Sequence, residues 1–161
     1  MAFALAACGG DDAATTTSTD DGGGASTTDP ASIEDARAYN LTRINALRAA
    51  HGRAALVRDD ALDTFAQAAS TELAKDHSAH QYFKDKAAKC GCGVQAETQG
   101  AASGWPAAPV KTQIDQILDA MMKEGPGGGH YEAILGARYT RLGVGLVGPG
   151  GTLYFTNDFG S

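Results

Sequence analysis

The chain has 161 residues, 43% of them hydrophobic and 7% aromatic, enough for one domain with an ordinary core and hardly for two. Its formal charge of −6 is uneven: Asp11, Asp12, Asp20, Asp21 and Asp29 precede residue 30, while the remainder sets 13 Lys+Arg against 14 Asp+Glu. A near-neutral domain with no basic stripe excludes a nucleic-acid backbone as partner.

The first eight residues, MAFALAAC, are apolar but far short of the ~20 that a transmembrane helix needs. They resemble the tail of a bacterial secretion signal. Leu5-Ala-Ala-Cys8 resembles a lipobox, in which Cys8 would carry the lipid and become the mature N-terminus. No Lys or Arg precedes Arg37, so a positive n-region is expected upstream of the first residue. Residues 9–30, GGDDAATTTSTDDGGGASTTDP, hold no large apolar side chain and cannot offset the entropy of ordering. They read as a disordered tether between anchor and domain. The expected organisation is thus 1–8 partial signal and lipobox, 9–30 tether, 31–161 globular domain. The lipid anchor would be the membrane contact, and residue 9 is Gly rather than the Asp that retains some lipoproteins in an inner membrane. An outer-membrane, periplasmic, cell-surface or secreted location follows.

Within the domain, Ser32 and Asp35 form a capping signal, and Leu41, Ile44 and Leu47 follow at helical spacing until Gly52. A helix is expected over about 32–51. Asp59 or Asp60 opens a second, with Leu62, Phe65, Ala66, Ala69 and Leu73 on one face, running to about Lys75. Residues 84–111 read as irregular, with a short strand near Val94–Glu97. Thr112 with Asp115 repeats the capping pattern ahead of Ile114, Ile117, Leu118 and Met121, and Gly125-Pro126 stops that helix near Glu124. A helical turn at 131–136 precedes two β-rich runs, Leu142–Val147 and Thr152–Thr156, around Gly148-Pro-Gly-Gly151. Helices leading into a terminal hairpin predict an α+β fold rather than a doubly wound parallel sheet.

His77, Glu97, Glu124 and His130 are the residues whose chemistry stands out. Imidazole and carboxylate are ligands for zinc and groups that exchange protons near neutral pH. Glu124 and His130 flank a Pro/Gly run, KEGPGGGHYE, which no Gly-Lys-Ser/Thr follows, so it is no phosphate cradle. It reads as a tight turn that folds the imidazole back beside the carboxylate.

These residues recur in an ordered set. Asn45-Ala-Leu-Arg48-Ala-Ala-His51-Gly52 is similar to the opening helix of the CAP superfamily, the SCP-like domain of cysteine-rich secretory proteins, antigen 5 and pathogenesis-related proteins. Leu62, Ala66-Gln67 and Ala69 resemble its second helix, with His77-Ser78 at the register of a trailing His-Ser. Ala96-Glu97-Thr98 stands where the family has Gly-Glu-Asn, and Gly129-His130-Tyr131 matches its Gly-His-Tyr. Leu142-Gly143-Val-Gly145 and Tyr154–Phe159 resemble the closing strands. The likeness extends over about residues 33–160 and implies a three-layer α-β-α sandwich with a C-terminal β-hairpin and a central cleft. It further implies that the cleft tetrad is His77, Glu97, Glu124 and His130, with a divalent metal, zinc first, on His77 and His130. His80 is the alternative to His77, and register favours His77. Met121 replaces the family's tryptophan, Thr98 its asparagine, and the disulfide-dense eukaryotic pattern is absent.

Ser78 beside His77 is no nucleophile on adjacency alone, and His51 is expected to meet carbonyls at the end of the first helix. Cys90-Gly-Cys92 could be a disulfide, a soft metal site or two free thiols, and export favours the disulfide. Trp105 either lines the cleft or packs in the core. The function expected is a tethered, extracytoplasmic CAP-domain protein whose cleft binds a divalent metal and a small apolar or lipid ligand. The alternatives are a metal-dependent hydrolase, with Glu97 or Glu124 as base, and a structural envelope module without a metal role.

Overall fold

The computed structural model describes residues 30–104 and 109–161. Cys8, residues 9–29 of the expected tether and Trp105 lie outside them. Nine elements follow in order: α1 Pro30–Ala50, β1 Val57–Arg58, α2 Asp60–Asp76, α3 Gln81–Lys86, β2 Val94–Ser103, α4 Val110–Met122, α5 Gly129–Leu135, β3 Arg141–Val147 and β4 Thr152–Gly160. The strands form one sheet in the order β1-β3-β4-β2, antiparallel except for β1 on β3. Helices α2 and α3 cover one face, and α1, α4 and α5 the other. The fold is the α-β-α sandwich with a terminal β3–β4 hairpin that the sequence leads one to expect.

Two local expectations need correction. α1 starts at Pro30, two residues before the expected cap, because proline is pre-set for a first helical position. α4 starts at Val110 behind Pro109 with no side-chain cap, so Thr112 and Asp115 do not form a capping box. Asp115 instead accepts hydrogen bonds from Tyr39 Oη at 2.7 Å and Arg43 Nε at 2.6 Å, tying α4 to α1. By contrast α2 has its cap as read: Asp59 accepts from the Leu62 N–H at 3.0 Å. The region read as irregular, 84–111, holds the end of α3, a 3-10 turn at Ala87–Lys89, a strand of ten residues in place of the short one expected, and the start of α4.

The main core lies between the sheet and α1, α4 and α5, where Ile44, Ile114, Leu118 and Ile134 meet Leu142, Val144, Leu146, Phe155 and Phe159. The opposite face is thinner. Gly143 and Gly145 leave room for the α2 backbone itself: a Cβ on Gly145 would lie 2.0 Å from the Ala66 carbonyl oxygen. That approach lets α2 side chains finish the outer edge of β3 where the two-residue β1 ends. Asp63 Oδ1 accepts the Val144 N–H at 2.8 Å, and Gln67 accepts from Leu146 N and donates to Leu146 O.

Arg48 is fully buried. Its guanidinium donates to the carbonyls of Ala54, Ile134, Gly136 and Tyr139 at 2.7–3.3 Å. One side chain thus clamps α1 to the end of α5 and the loop beyond it, and so fixes the helix that begins with His130's turn. Burial lowers its pKa, but a guanidinium stays charged. Among the described residues no helix is long and apolar enough to cross a membrane.

Candidate functional site

β2 lies at one edge of the sheet, and past that edge the two helical layers come together. His80 arrives from one layer and His130 from the other, with ring centroids 6.0 Å apart. Each imidazole has its own carboxylate. His80 Nδ1 lies 2.9 Å from Glu97 Oε1, and His130 Nδ1 lies 2.5 Å from Glu124 Oε1. A proton on each Nδ1 is donated to the carboxylate, which leaves Nε2 as the basic nitrogen.

The glycine turn accounts for the second pair. Gly125 and Gly127 have φ of +69° and +92°, and a Cβ on Gly128 would lie 2.4 Å from Glu124 Cβ. The turn therefore closes onto the Glu124 side chain, whose Oε2 also accepts the His130 backbone N–H at 2.9 Å. The His130 hydrogen bond is the main reason that Glu124 ionises below its usual range.

The first pair depends on a corner between α2 and α3 in which two non-glycine residues hold positive φ, His77 at 58° and His80 at 62°. His77 ends α2 as a left-handed cap, its N–H bonded to Leu73 O at 2.9 Å. Its ring lies on Tyr154, with Nδ1 3.2 Å from the Tyr154 hydroxyl. Tyr154 is four residues along β4 from Asp158, the partner of Glu97, a separation of roughly 13 Å. The second left-handed residue swings His80 back over β2, where its N–H donates to Gln99 Oε1 at 2.6 Å. The tetrad assembled here is His80, Glu97, Glu124 and His130. Register favoured His77, but the capping geometry gives that histidine to Tyr154.

The other sequence-selected residues stand apart. Ser78 is exposed and its N–H is bonded to Asp76, and His51 donates from Nδ1 to Leu47 O while meeting solvent. Cys90 and Cys92 are joined by a disulfide just before β2. Thr98 is buried and accepts a hydrogen bond from Asn157, which in turn accepts from Asn40.

Asp158 escaped the sequence reading. It sits opposite Glu97 on β4, fully buried, and neither of its oxygens has a hydrogen-bond partner, nor does Glu97 Oε2. Burial, with Glu97 as a second cause, raises its pKa well above the ordinary carboxyl value. Strand alternation puts Asp158 on the same face as Thr156, but its place across from Glu97 and beneath α2 follows from a β2–β4 pairing that the sequence does not show.

A cavity of about 460 Å³, lined by His80, Phe83, Lys84, Glu97, Glu124 and His130, holds the tetrad. It adjoins a groove of about 430 Å³ between β2 and α4, with Gly100, Ile117, Ala120 and Met121 on its walls. Among the described residues no three His, Cys, Asp or Glu side chains form a ready metal cage. The 6.0 Å between the ring centroids is a spacing of the size that two imidazoles on one cation would have. An ion about 2 Å from one nitrogen of each ring puts the centroids roughly 5–6 Å apart.

Comparison with known proteins agrees with this architecture. The CAP domain of Enterococcal PrgA is similar with a TM-score of 0.60 and 18% identity over 79% of this chain and 61% of that one. An outer surface protein from Borrelia burgdorferi has a TM-score of 0.56 at 15% identity, covering 82% of this chain and 93% of the other. A cysteine-rich secretory protein from Staphylococcus aureus has a TM-score of 0.54 at 14% identity, and the match spans 78% of this chain but only 39% of that one. Comparison with curated protein sequences gives no match. The model of the cysteine-rich secretory protein family, CAP, matches residues 41–159, from the first helix through the last strand. The chain belongs to the CAP family.

Proposed function

We propose that this is an exported, membrane-tethered CAP-domain protein whose cleft binds a divalent cation, zinc first, through His80 and His130. The observation that carries the reading is two imidazoles 6.0 Å apart, each held at Nδ1 by its own carboxylate. Such carboxylate–histidine pairs fix the ring and raise its basicity toward a metal. A cation there would supply a positive charge for an anionic head group. The apolar wall of Ile117, Ala120 and Met121 beside it suits the short apolar or lipid chain that such a group carries. Export draws support from relatives that are outer-surface or secretory by name, and tethering from the Leu-Ala-Ala-Cys8 sequence.

Calorimetric titration with zinc tests the centre. His80→Ala and His130→Ala should each lower affinity by at least about tenfold, and Glu97→Gln and Glu124→Gln by about 10–100-fold. His77→Ala should leave it unchanged. Equal loss in the His77 and His80 variants, or no zinc binding by the wild type, would discard the centre. Labelling with a radioactive fatty acid in cells, lost in Cys8→Ser, tests the anchor separately.

A further inference from the structure

The Cys90–Cys92 disulfide plays no part in the cleft and has little to do for the fold. It encloses one residue, Gly91, and the stabilisation that a cross-link draws from the unfolded chain is smallest for the smallest loops. Cys92 is already fixed without it. Its side chain packs with Leu62, Phe65 and Val94, and its carbonyl accepts from Arg141 Nη1 at 3.4 Å.

The two sulfurs occupy opposite environments. Cys92 is buried under Tyr82, Phe83 and Ala87, while Cys90 is exposed. Gly91 has φ +66° and open space where a side chain would stand, so nothing screens Cys90 from that side. The Cys92 backbone N–H points at Cys90 Sγ, 3.1 Å away. A thiolate on Cys90 would keep that bond, in a segment where Lys84, Lys86 and Lys89 outnumber Asp85. An exposed sulfur with a hydrogen-bond donor, backed by a buried partner, is the asymmetry of an exchanging thiol pair.

We propose that Cys90–Cys92 is a thiol–disulfide exchange centre for cysteine thiols outside the cytoplasm, with Cys90 as the exchanging sulfur and Cys92 as the resolving one. A substrate thiolate attacks Cys90 Sγ; the bond to Cys92 breaks, and Cys92 leaves as a thiolate that takes up a proton. A second substrate thiolate then attacks the substrate sulfur of the mixed disulfide and displaces Cys90. Two electrons pass from the substrate thiols to the cysteine pair, and the substrate leaves as a disulfide. The reverse sequence starts from the dithiol that this oxidation of substrate thiols leaves: Cys90 attacks a substrate disulfide, Cys92 resolves the mixed disulfide, and the pair returns to its oxidised form.

The test uses the full chain with Cys8→Ser, so that Cys90 and Cys92 are the remaining cysteines. Reaction of the oxidised protein with glutathione, followed by mass spectrometry, should give the dithiol through a mixed disulfide at Cys90. In a Cys92→Ser background oxidised glutathione should modify Cys90 at least about tenfold faster than it modifies Cys92 in Cys90→Ser. Reduced ribonuclease A serves as a protein substrate, with formation of its disulfides as the readout. Resistance of the oxidised pair to glutathione, or equal rates at the two cysteines, would overturn the proposal. A fall of more than about 10 °C in melting temperature on reduction would also overturn it, since the bond would then be a structural staple.

Discussion

At the scale of single residues, the sharpest conflict is the carboxyl pair behind the cleft. Glu97 and Asp158 face each other across two strands, and the Asp158 oxygens have no partner. A buried acid avoids the cost of desolvation by keeping its proton. Because the folded pKa lies above the ordinary 3.8, the folded state holds more protons than the unfolded state between those two values. Stability from this group is therefore fully present below about pH 3.8 and is lost as pH rises through the folded pKa. Urea midpoints measured from pH 4 to 8 should fall less in Asp158→Asn than in the wild type. Glu124 works in the opposite sense: its lowered pKa adds stability that disappears as pH drops through its folded value. Gly128→Ala tests the turn. Its Cβ would collide with Glu124 Cβ, so a loss of about 1–3 kcal/mol in urea unfolding and weaker zinc binding are expected together.

At the scale of elements, the sequence was most readable where a helix buries one face. The period of Leu62, Phe65, Ala66, Ala69 and Leu73 defines α2, and its Asp59 cap is present. It was least readable where the chain turns by other means. α3 is six residues long and has no fully buried side chain, so it leaves no periodic trace. The corner before it uses histidines in left-handed conformations that glycine usually takes, and sequence offers no sign of which histidine then points where. That is why the pairing of Glu97 with Glu124 and His130 was foreseeable from motif order while the choice of His80 was not. The short, close α2–sheet contact was hidden too, although its glycines were in view. Gly145→Ala should cost at least about 2 kcal/mol, seen as a lower denaturation midpoint, because the obstacle is helix backbone rather than a movable side chain.

At the scale of the whole molecule, Arg48 sets the distance between the first helix and the cleft's far wall. Replacement by Met would keep volume but strip partners from four carbonyls, at about 1–3 kcal/mol for each that stays buried. A loss of at least about 3 kcal/mol in chemical unfolding is expected, and Lys should rescue little because it lacks the planar fork. The outer margin of β3 has a further consequence. Where β1 stops, Asp63 and Gln67 take the places of a neighbouring strand on Val144 and Leu146. A second chain thus finds no free ladder there on which to grow. Stripping both side chains to alanine would turn a sealed margin into a template, and the protein would be expected to form fibrils with rising concentration while its cleft still folds.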